Sequence, residues 1–534
     1  MKKGYTIREK IIMLFTAIFV IFSLIVLGNI IFNNTTLFNV TKPLLIVTFI
    51  IGYLFVIFLL YKILKKNKKK LLDKKILIIA IIFILLITIQ VIYAYNSYTE
   101  YGWDCGKVLE TAEKLLTNHE FDSIYYSQYY NNIFIVLFFK NLYLLCSILG
   151  INNFLFASIM VNILIIDASI FLIYLVSKKM FGDYGGFVSF IFSIPILGLS
   201  PWMIVPYTDT FSMIFPILLF YIYLLIKEQK SIYKKYILAF LLGTIIILGM
   251  LIKPTVIIIG ISLIIVEIFL KNWKEKNKKE IAILALIIIV SMLLTKGITD
   301  LYKNVELKDF LSEEKSEQLE IPMTHFIMMG LSKYETADGK CAYGVYNDED
   351  ASNTASYDGK QNKISYNIKE IKVRLKDMEI SGYIKFAYNK LNWILCDGSF
   401  FYGGEGNFHA SAPFASGKVA NIIQSFSYVN SEYYYVYQSF LQAMWIMVQI
   451  FIVLSMVLIK ENWKDKNLTI VRMTIFGICL FIVLFEGRSR YLINHLPIFI
   501  LLATYSFINI KREKEALVEM INKIKIKYIT KNEK

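Results

Sequence analysis

Twelve runs of apolar residues divide this chain into short polar connections and one long one. They lie at 11–32, 44–61, 76–95, 154–176, 187–204, 211–226, 236–252, 256–270, 281–294, 440–459, 468–485 and 492–510. A helix crosses the hydrocarbon of a bilayer in about 20 residues, so the pattern predicts an all-α polytopic membrane protein with about 12 transmembrane helices. One further run, 133–149, tempts another crossing, but Lys140 and Asn141 interrupt it, and counting it would flip the next connection to the other side. It is read as a helix lying against or partly in the outer leaflet. The first run is too long for the core of a signal peptide and no small-x-small cleavage site follows it, so it is expected to be retained.

Polar connections then give orientation. The tip MKKGYTIREK is basic, as are 62–75 (KILKKNKKKLLDKK), Lys178-Lys179, 227–235, 271–280, 460–468 and the tail from Lys511. All fall on one side if the N-terminus is cytoplasmic, which is where positive charge accumulates. The net charge of +16, from 57 basic and 41 acidic residues, is therefore mostly a topology signal, with some attraction to anionic lipid. No nucleic-acid partner is implied. Hydrophobic residues make up 57% of the chain, above the 45–50% usual in soluble domains. The organisation expected is an N-terminal hairpin and basic loop (1–75), a membrane core (76–294) with a first outer loop (96–130), an outer loop region (295–439), C-terminal spans (440–510) and a cytoplasmic tail (511–534).

Candidate chemistry gathers on the outer side. Trp103-Asp104 follows the third run closely, and an ionisable group beside hydrocarbon is costly enough to be a functional candidate. PYTDT (206–210) carries Asp209, Lys253-Pro254-Thr255 forms an outer turn, and EGRSRY (486–491) packs three charges between two runs. The two carboxylates suit a general base and a group that orients an acceptor or holds a divalent cation. Arginine presents a planar fork matched to phosphate oxygens, and Lys253 adds a point charge. The outer face thus pairs acids that can activate a nucleophile with cations that can hold a phosphate leaving group.

Each of these residues also has a plainer reading. Asp104 can be a solvated loop acid. The arginines can anchor to headgroups or pair with Glu486. Lys253 can snorkel to the interface. Asp209 can cap the helix expected from Phe211. His325, in IPMTHFIMMG, can be structural, and Asp167 can be a polar contact between helices. Five cysteines and four histidines show no metal-ligand spacing, and no P-loop or GxGxxG occurs. In the outer region, 383–395 has helical periodicity, with Ile384, Ala387, Leu391 and Ile394 on one face and Lys385, Asn389 and Asn392 on another, which suits a helix on the membrane surface.

The layout resembles the GT-C superfamily of polytopic glycosyltransferases, in its protein-mannosyltransferase-like branch that includes the aminoarabinose transferases. The resemblance is carried by Asp104 in the first large outer loop, by Lys178-Lys179-Met180-Phe181-Gly182, by Asp209 in PYTDT, by Lys253-Pro254-Thr255, by HFIMMG and by WILCDGSFFYGG (393–404), and it spans about 76 to 491. It implies a sugar donor linked to polyprenyl phosphate, an extracytoplasmic acceptor and inversion at the anomeric carbon. By the same carry-over Asp104 is the base and Asp209 a second acid of the site. Lys253, Arg488 and Arg490 face the lipid phosphate, and Glu486, Tyr491, His325 and Trp103 are candidates for substrate binding. Two departures are visible: Asp104 is not in the paired Asp-Glu form of eukaryotic protein mannosyltransferases, and it follows the third run rather than the first, which makes 11–61 an added hairpin. The acceptor stays open among wall polymer, glycolipid and secreted protein. No cofactor is certain and a divalent cation is possible. Two other functions compete: a transporter or flippase of a lipid-linked precursor, and a non-catalytic scaffold that uses the outer region to bind a partner.

Overall fold

The computed structural model describes residues 5–32, 40–66, 74–270, 278–312, 317–336, 339–405 and 413–532. The first four residues and the basic stretches 67–73 and 271–277, which contribute to the orientation argument, lie outside the described residues. The helices used below are α1 (Ile7–Phe32), α2 (Pro43–Lys66), α3 (Lys75–Ser97), α4 (Trp103–Thr117), α5 (Ser123–Gln128), α6 (Ile133–Ile148), α7 (Phe154–Ser193), α8 (Ile214–Glu228), α9 (Ile232–Ile252), α10 (Ile257–Leu270), α11 (Lys278–Leu307), α12 (Met323–Met329), α13 (Lys360–Leu395), α14 (Lys418–Ser427), α15 (Tyr434–Ser455), α16 (Lys466–Leu484) and α17 (Leu496–Asn532).

Ten helical stretches among the described residues are long and apolar enough to cross a membrane, and two shorter apolar helices, Pro43–Leu59 and Pro254–Leu270, accompany them. The protein is an all-α polytopic membrane protein. Helices are the form that satisfies every backbone group within hydrocarbon, so the apolar runs have little alternative. At the centre α17 packs against α15 and α7, and α15 and α17 supply the most enclosed spans. α11 packs mainly on α9 at the periphery and turns almost its whole surface outward.

The structure bears on the expected boundaries in three places. Run 154–176 and residues 187–198 of the next run fall in one helical stretch, Phe154–Gly198, which folds back at Gly182 and so keeps the two runs as separate arms. Gly182 has φ 78°, a left-handed value open to glycine, and the two arms then lie together, with Ser189 Oγ donating to the Ile173 carbonyl at 3.4 Å. Second, the run expected along the outer leaflet belongs to Tyr130–Ile148, which is long and apolar enough to cross a membrane, yet both its ends stay beside outer-side residues, Asn132 meeting Tyr125 and Asn153 meeting Tyr98, as an outer-leaflet helix requires. The two polar residues that interrupt it meet α11: Lys140 pairs with Glu306 at 2.6 Å, and Asn141 donates to the Tyr302 hydroxyl at 2.7 Å. Third, run 281–294 continues as helix to Leu307, 30 residues in all, so the outer region begins inside a helix.

That region is folded. α12 leads into a two-stranded antiparallel sheet, β1 (Lys333–Glu335) with β2 (Cys341–Tyr343), in which Tyr334 faces Ala342. The helix Asp348–Ala355 and then α13 follow, and α13 breaks at Glu379 (φ 54°). The arm of α13 after the break buries Phe386, Lys390, Asn392, Trp393 and Ile394, while Ile384 stays exposed. Of the apolar face expected from periodicity, Ile394 is buried, Ala387 and Leu391 are half-buried and Ile384 is exposed, and the helix also buries Lys390 and Asn392 of its polar side where it packs on α1, α12, β2 and α16.

Candidate functional site

The PYTDT segment leaves helical geometry after Pro201–Ile204 and exposes backbone carbonyls that need donors. Asn162, buried in α7, donates its Nδ2 to the carbonyls of Trp202 and Met203 at 3.0 and 2.9 Å. The Tyr101 hydroxyl donates to the Ile204 carbonyl, and Cys105 Sγ contacts the Pro206 carbonyl at 3.9 Å. Those last two contacts clamp the first turn of α4 onto the segment and so place Asp104 beside PYTDT. The turn is tight: a Cβ on Gly106 would lie 1.8 Å from the Tyr101 carbonyl oxygen, and Trp103 has φ 50°. A bulky residue with that φ is an outlier of the kind that gathers at functional sites.

Asp209 sits inside the short helix Thr208–Phe211 and is 0% exposed. It does not cap the following helix. Arg490 Nη1 donates to its Oδ2 at 2.7 Å, and Lys253 Nζ donates to its Oδ1. Three distant segments meet on this one carboxylate. Arg490 Cζ also lies 5.3 Å from the ring centroids of both Tyr207 and Tyr491, and Lys253 Nζ lies 4.4 Å from that of Tyr491. Asn494 Nδ2 donates to Thr255 Oγ1 at 2.9 Å and ties the turn after Lys253 to the turn after Arg490. Beside the trio, Glu486 accepts from the Tyr491 hydroxyl at 2.7 Å and pairs with Arg488 Nε at 3.9 Å. Three cations therefore stand against the two carboxylates Asp209 and Glu486.

Asp104 joins this cluster through a polar chain. Tyr125 donates its hydroxyl to Asp104 Oδ1 at 2.6 Å, Asn132 Nδ2 donates to that hydroxyl at 3.1 Å, and the Tyr207 hydroxyl donates to Asn132 Oδ1 at 3.3 Å. The Tyr207 ring lies under Arg490, which closes the path. Burial and then Asp104 push the Tyr125 hydroxyl far above its ordinary ionisation, so it stays a donor. Tyr129 is raised by burial first and then by the charges of Asp104 and Glu486. Asp104 is half-buried where Asp209 is sealed.

Of the residues singled out from sequence, Asp209, Lys253, Glu486, Arg488, Arg490 and Tyr491 form one cluster and Asp104 connects to it. Trp103 stands next to Asp104 and is 50% exposed. His325 is turned elsewhere. Its Nδ1 meets Thr354 Oγ1 at 2.8 Å, Thr354 continues to Asn367 at 2.9 Å, and burial pushes the imidazole down to about 4. Its partners hold the outer layer together. Asp167, the acid inside α7, accepts from Gln90 of α3 at 3.1 Å.

Sequence reasoning passed over Tyr125, Asn132 and Tyr207, and it quoted Asp397 without a role. Asp397 is buried in CDGSFF, where Oδ1 accepts from the Ser399 amide and hydroxyl at 2.8 and 2.7 Å and Oδ2 from the Phe401 amide at 2.6 Å. Burial pushes its carboxyl up. The bend it closes holds Phe400 and Phe401 at φ 54° and 64°, and Phe401 then faces Arg488 with Cζ 5.4 Å from its centroid. A small cavity of about 50 Å³ lies between Arg488, Ser489, Asp397, Phe401, Trp393 and Tyr334. Two adjacent aromatics after Asp-Gly-Ser were the available signal. Among the described residues no group of three or more His, Cys, Asp or Glu side chains is placed to hold a metal ion.

A family model described as "conserved hypothetical integral membrane protein" matches residues 3–510. No curated protein matches the chain. Two solved structures of ArnT from Cupriavidus metallidurans are similar to it. The one bound to undecaprenyl phosphate has a TM-score of 0.32 and 8% identity, over 80% of this chain and 77% of that one. The apo structure has a TM-score of 0.31 and 9% identity, over 81% and 77%.

Proposed function

The chain belongs to the conserved hypothetical integral membrane protein family, and on that premise we propose that it is a membrane glycosyltransferase that takes a sugar from a polyprenyl-phosphate donor to an extracytoplasmic acceptor. The observation that carries this reading is the pairing of a sealed carboxylate that holds two cations with a half-buried carboxylate joined to it by tyrosine and asparagine. Cations in a partly desolvated pocket hold a phosphate far more strongly than cations in water. A carboxylate that the acceptor can reach supplies the base.

In this reaction the acceptor hydroxyl oxygen attacks the anomeric carbon and its proton passes to Asp104. The bond from that carbon to the phosphate oxygen breaks, and its electron pair leaves with the polyprenyl phosphate. Lys253, Arg488 and Arg490 offset the charge that develops there. A single displacement inverts the anomeric carbon. Tyr125 orients Asp104. Asp209, expected to be a second acid, serves here as the counter-ion that keeps Lys253 and Arg490 converged until phosphate takes its place. Trp103 offers an exposed ring to a sugar, and Glu486 with Tyr491 walls the donor side. Three cations do the charge work that a divalent ion would otherwise do, and both oxygens of Asp209 are already engaged.

The test is complementation of a strain that lacks the protein, with envelope glycans read by mass analysis. Asp104→Asn should reach the membrane at the normal level yet lose the modification, a rate deficit on the order of 10²–10⁴-fold for a lost general base. Full restoration of the glycan by this variant would remove Asp104 from the mechanism.

A further inference from the structure

The segment that delivers Glu486, Arg488 and Arg490, irregular over 486–488 and helical from Ser489, has no regular partner, and the structure shows what holds it. α16 ends at Leu484. The Glu486 amide donates to the Phe326 carbonyl at 2.6 Å and the Gly487 amide to the Gly344 carbonyl at 3.0 Å. Both acceptors belong to the outer layer, from α12 and the residue after β2. Between these two bodies sits Lys390 of α13, 0% exposed. Its Nζ donates to the carbonyls of Gly330 at 2.7 Å, Val483 at 3.1 Å and Phe485 at 2.6 Å. An ammonium has three N–H donors and here meets three carbonyl acceptors.

The surrounding backbone is shaped to this group. A Cβ on Gly344 would lie 2.4 Å from Lys390 Cε, and Gly344 has φ +61°. A Cβ on Gly330 would lie 2.6 Å from the Phe485 carbonyl carbon. Two glycines thus admit three backbone segments to one buried cation. Apolar packing alone needs no such cation, since a buried ammonium costs free energy unless it is matched.

We propose that Lys390 is a positioning residue of the phosphate site: by gathering these three carbonyls it sets the segment that presents Glu486, Arg488 and Arg490, and it couples that segment to the folded outer region. The inference rests on the donor site proposed above, but its first measurement does not.

Charge at Lys390 is open to titration. Burial pushes its ammonium down to about 7, against the pull of Glu486. Other charged or titratable groups on the elements packed around α13 face elsewhere: His325 of α12 meets Thr354, Tyr343 of β2 meets the Phe386 ring, Asp350 binds Arg374, and Arg488 faces Phe401 and Glu486. α1 contributes Asn29, which accepts from Tyr388. Loss of the proton leaves two donors for three carbonyls and loosens the segment. Global stability moves the other way. The folded state sheds this proton near 7 and the unfolded chain only near 10.5, so the unfolded state binds more protons between them and stability rises with pH across that window.

The experiment uses the full chain in lipid nanodiscs. Without ligand, Lys390→Met should raise hydrogen exchange at the Glu486 and Gly487 amides on the order of tenfold, the scale of one lost hydrogen bond to a charged group, with α15 and α17 unchanged. Gly344→Ala, which crowds the lysine without removing it, should do the same and stands in if the first variant fails to insert. Unchanged exchange in both overturns the proposal. With polyprenyl phosphate as probe, wild-type affinity should fall from pH 6.5 to 8.5 while the melting temperature does not, and Lys390→Met should bind weakly with a flat profile. A variant that keeps both the wild-type affinity and its slope overturns the positioning role. A wild-type chain that ignores the lipid removes the donor reading and leaves the exchange measurement to decide Lys390.

Discussion

Asp209 balances Lys253 and Arg490 where no solvent reaches it. Removal of one member of a buried ion network leaves charge without compensation and costs about 3–5 kcal/mol. Asp209→Asn should therefore lower the melting temperature of the purified protein sharply. The double variant Asp209→Asn/Lys253→Met should recover part of that loss, since groups in one network are not additive. Additive melting losses would show that the three do not act as a unit. These residues stood out in the sequence because charges are rare beside apolar runs. Tyr125, Asn132 and Tyr207 did not, because tyrosine and asparagine at the ends of membrane helices are common and carry no distinguishing pattern. Lys390 was invisible for a related reason: it lies in a helix with several other lysines, and only the fold shows which one is enclosed.

At the scale of elements, α4 is set by a contact rather than by its own helix signals. No side chain caps it, and its first turn is fixed by Gly106 against the Tyr101 carbonyl and by Cys105 against Pro206. Gly106→Ala should displace Trp103 and Asp104. We expect a loss of about 1–3 kcal/mol from overpacking, with glycan transfer in complemented cells lost beyond what the change in melting explains. Transfer at the wild-type level in this variant would mean that the placement of Asp104 tolerates movement. The spans were legible because the length of an apolar run is nearly sufficient for a membrane helix. The Gly182 fold-back was legible as two runs in series. The buried side of α13 was only partly so, because its neighbours include residues as far along the chain as Asn29, 359 positions from Tyr388, and no local period encodes them.

For the whole molecule, Lys75 and Lys178, from two different basic connections, both meet Asp183, at 2.9 and 3.2 Å, and the one-sided distribution of positive charge in the sequence predicts that both termini lie in the cytoplasm. In a Cys341→Ser background, a cysteine at Asp358 should react with a membrane-impermeant maleimide added outside intact cells, and one at Ser231 should not. Cys341 is the half-buried member of five free cysteines and the others are buried, so background labelling is low. The reverse labelling pattern would invert the topology and move the candidate site to the cytoplasmic face. The polytopic architecture was therefore open to a reader of the sequence. The packing of α12, β2 and α13 into a layer that holds the arginine segment was not, since that role depends on backbone carbonyls, which every residue has.

The sealed carboxylate also bears on selectivity. A resting site whose lysine and arginine already share an internal anion offers little to the phosphatidyl headgroups that vastly outnumber any scarce isoprenoid donor. Only a ligand that brings enough additional contact elsewhere can trade places with Asp209, and its departure lets the original partners re-form. The Asp209→Asn protein should accordingly copurify with more anionic phospholipid than wild type, a difference that lipid mass spectrometry of the two preparations can read directly.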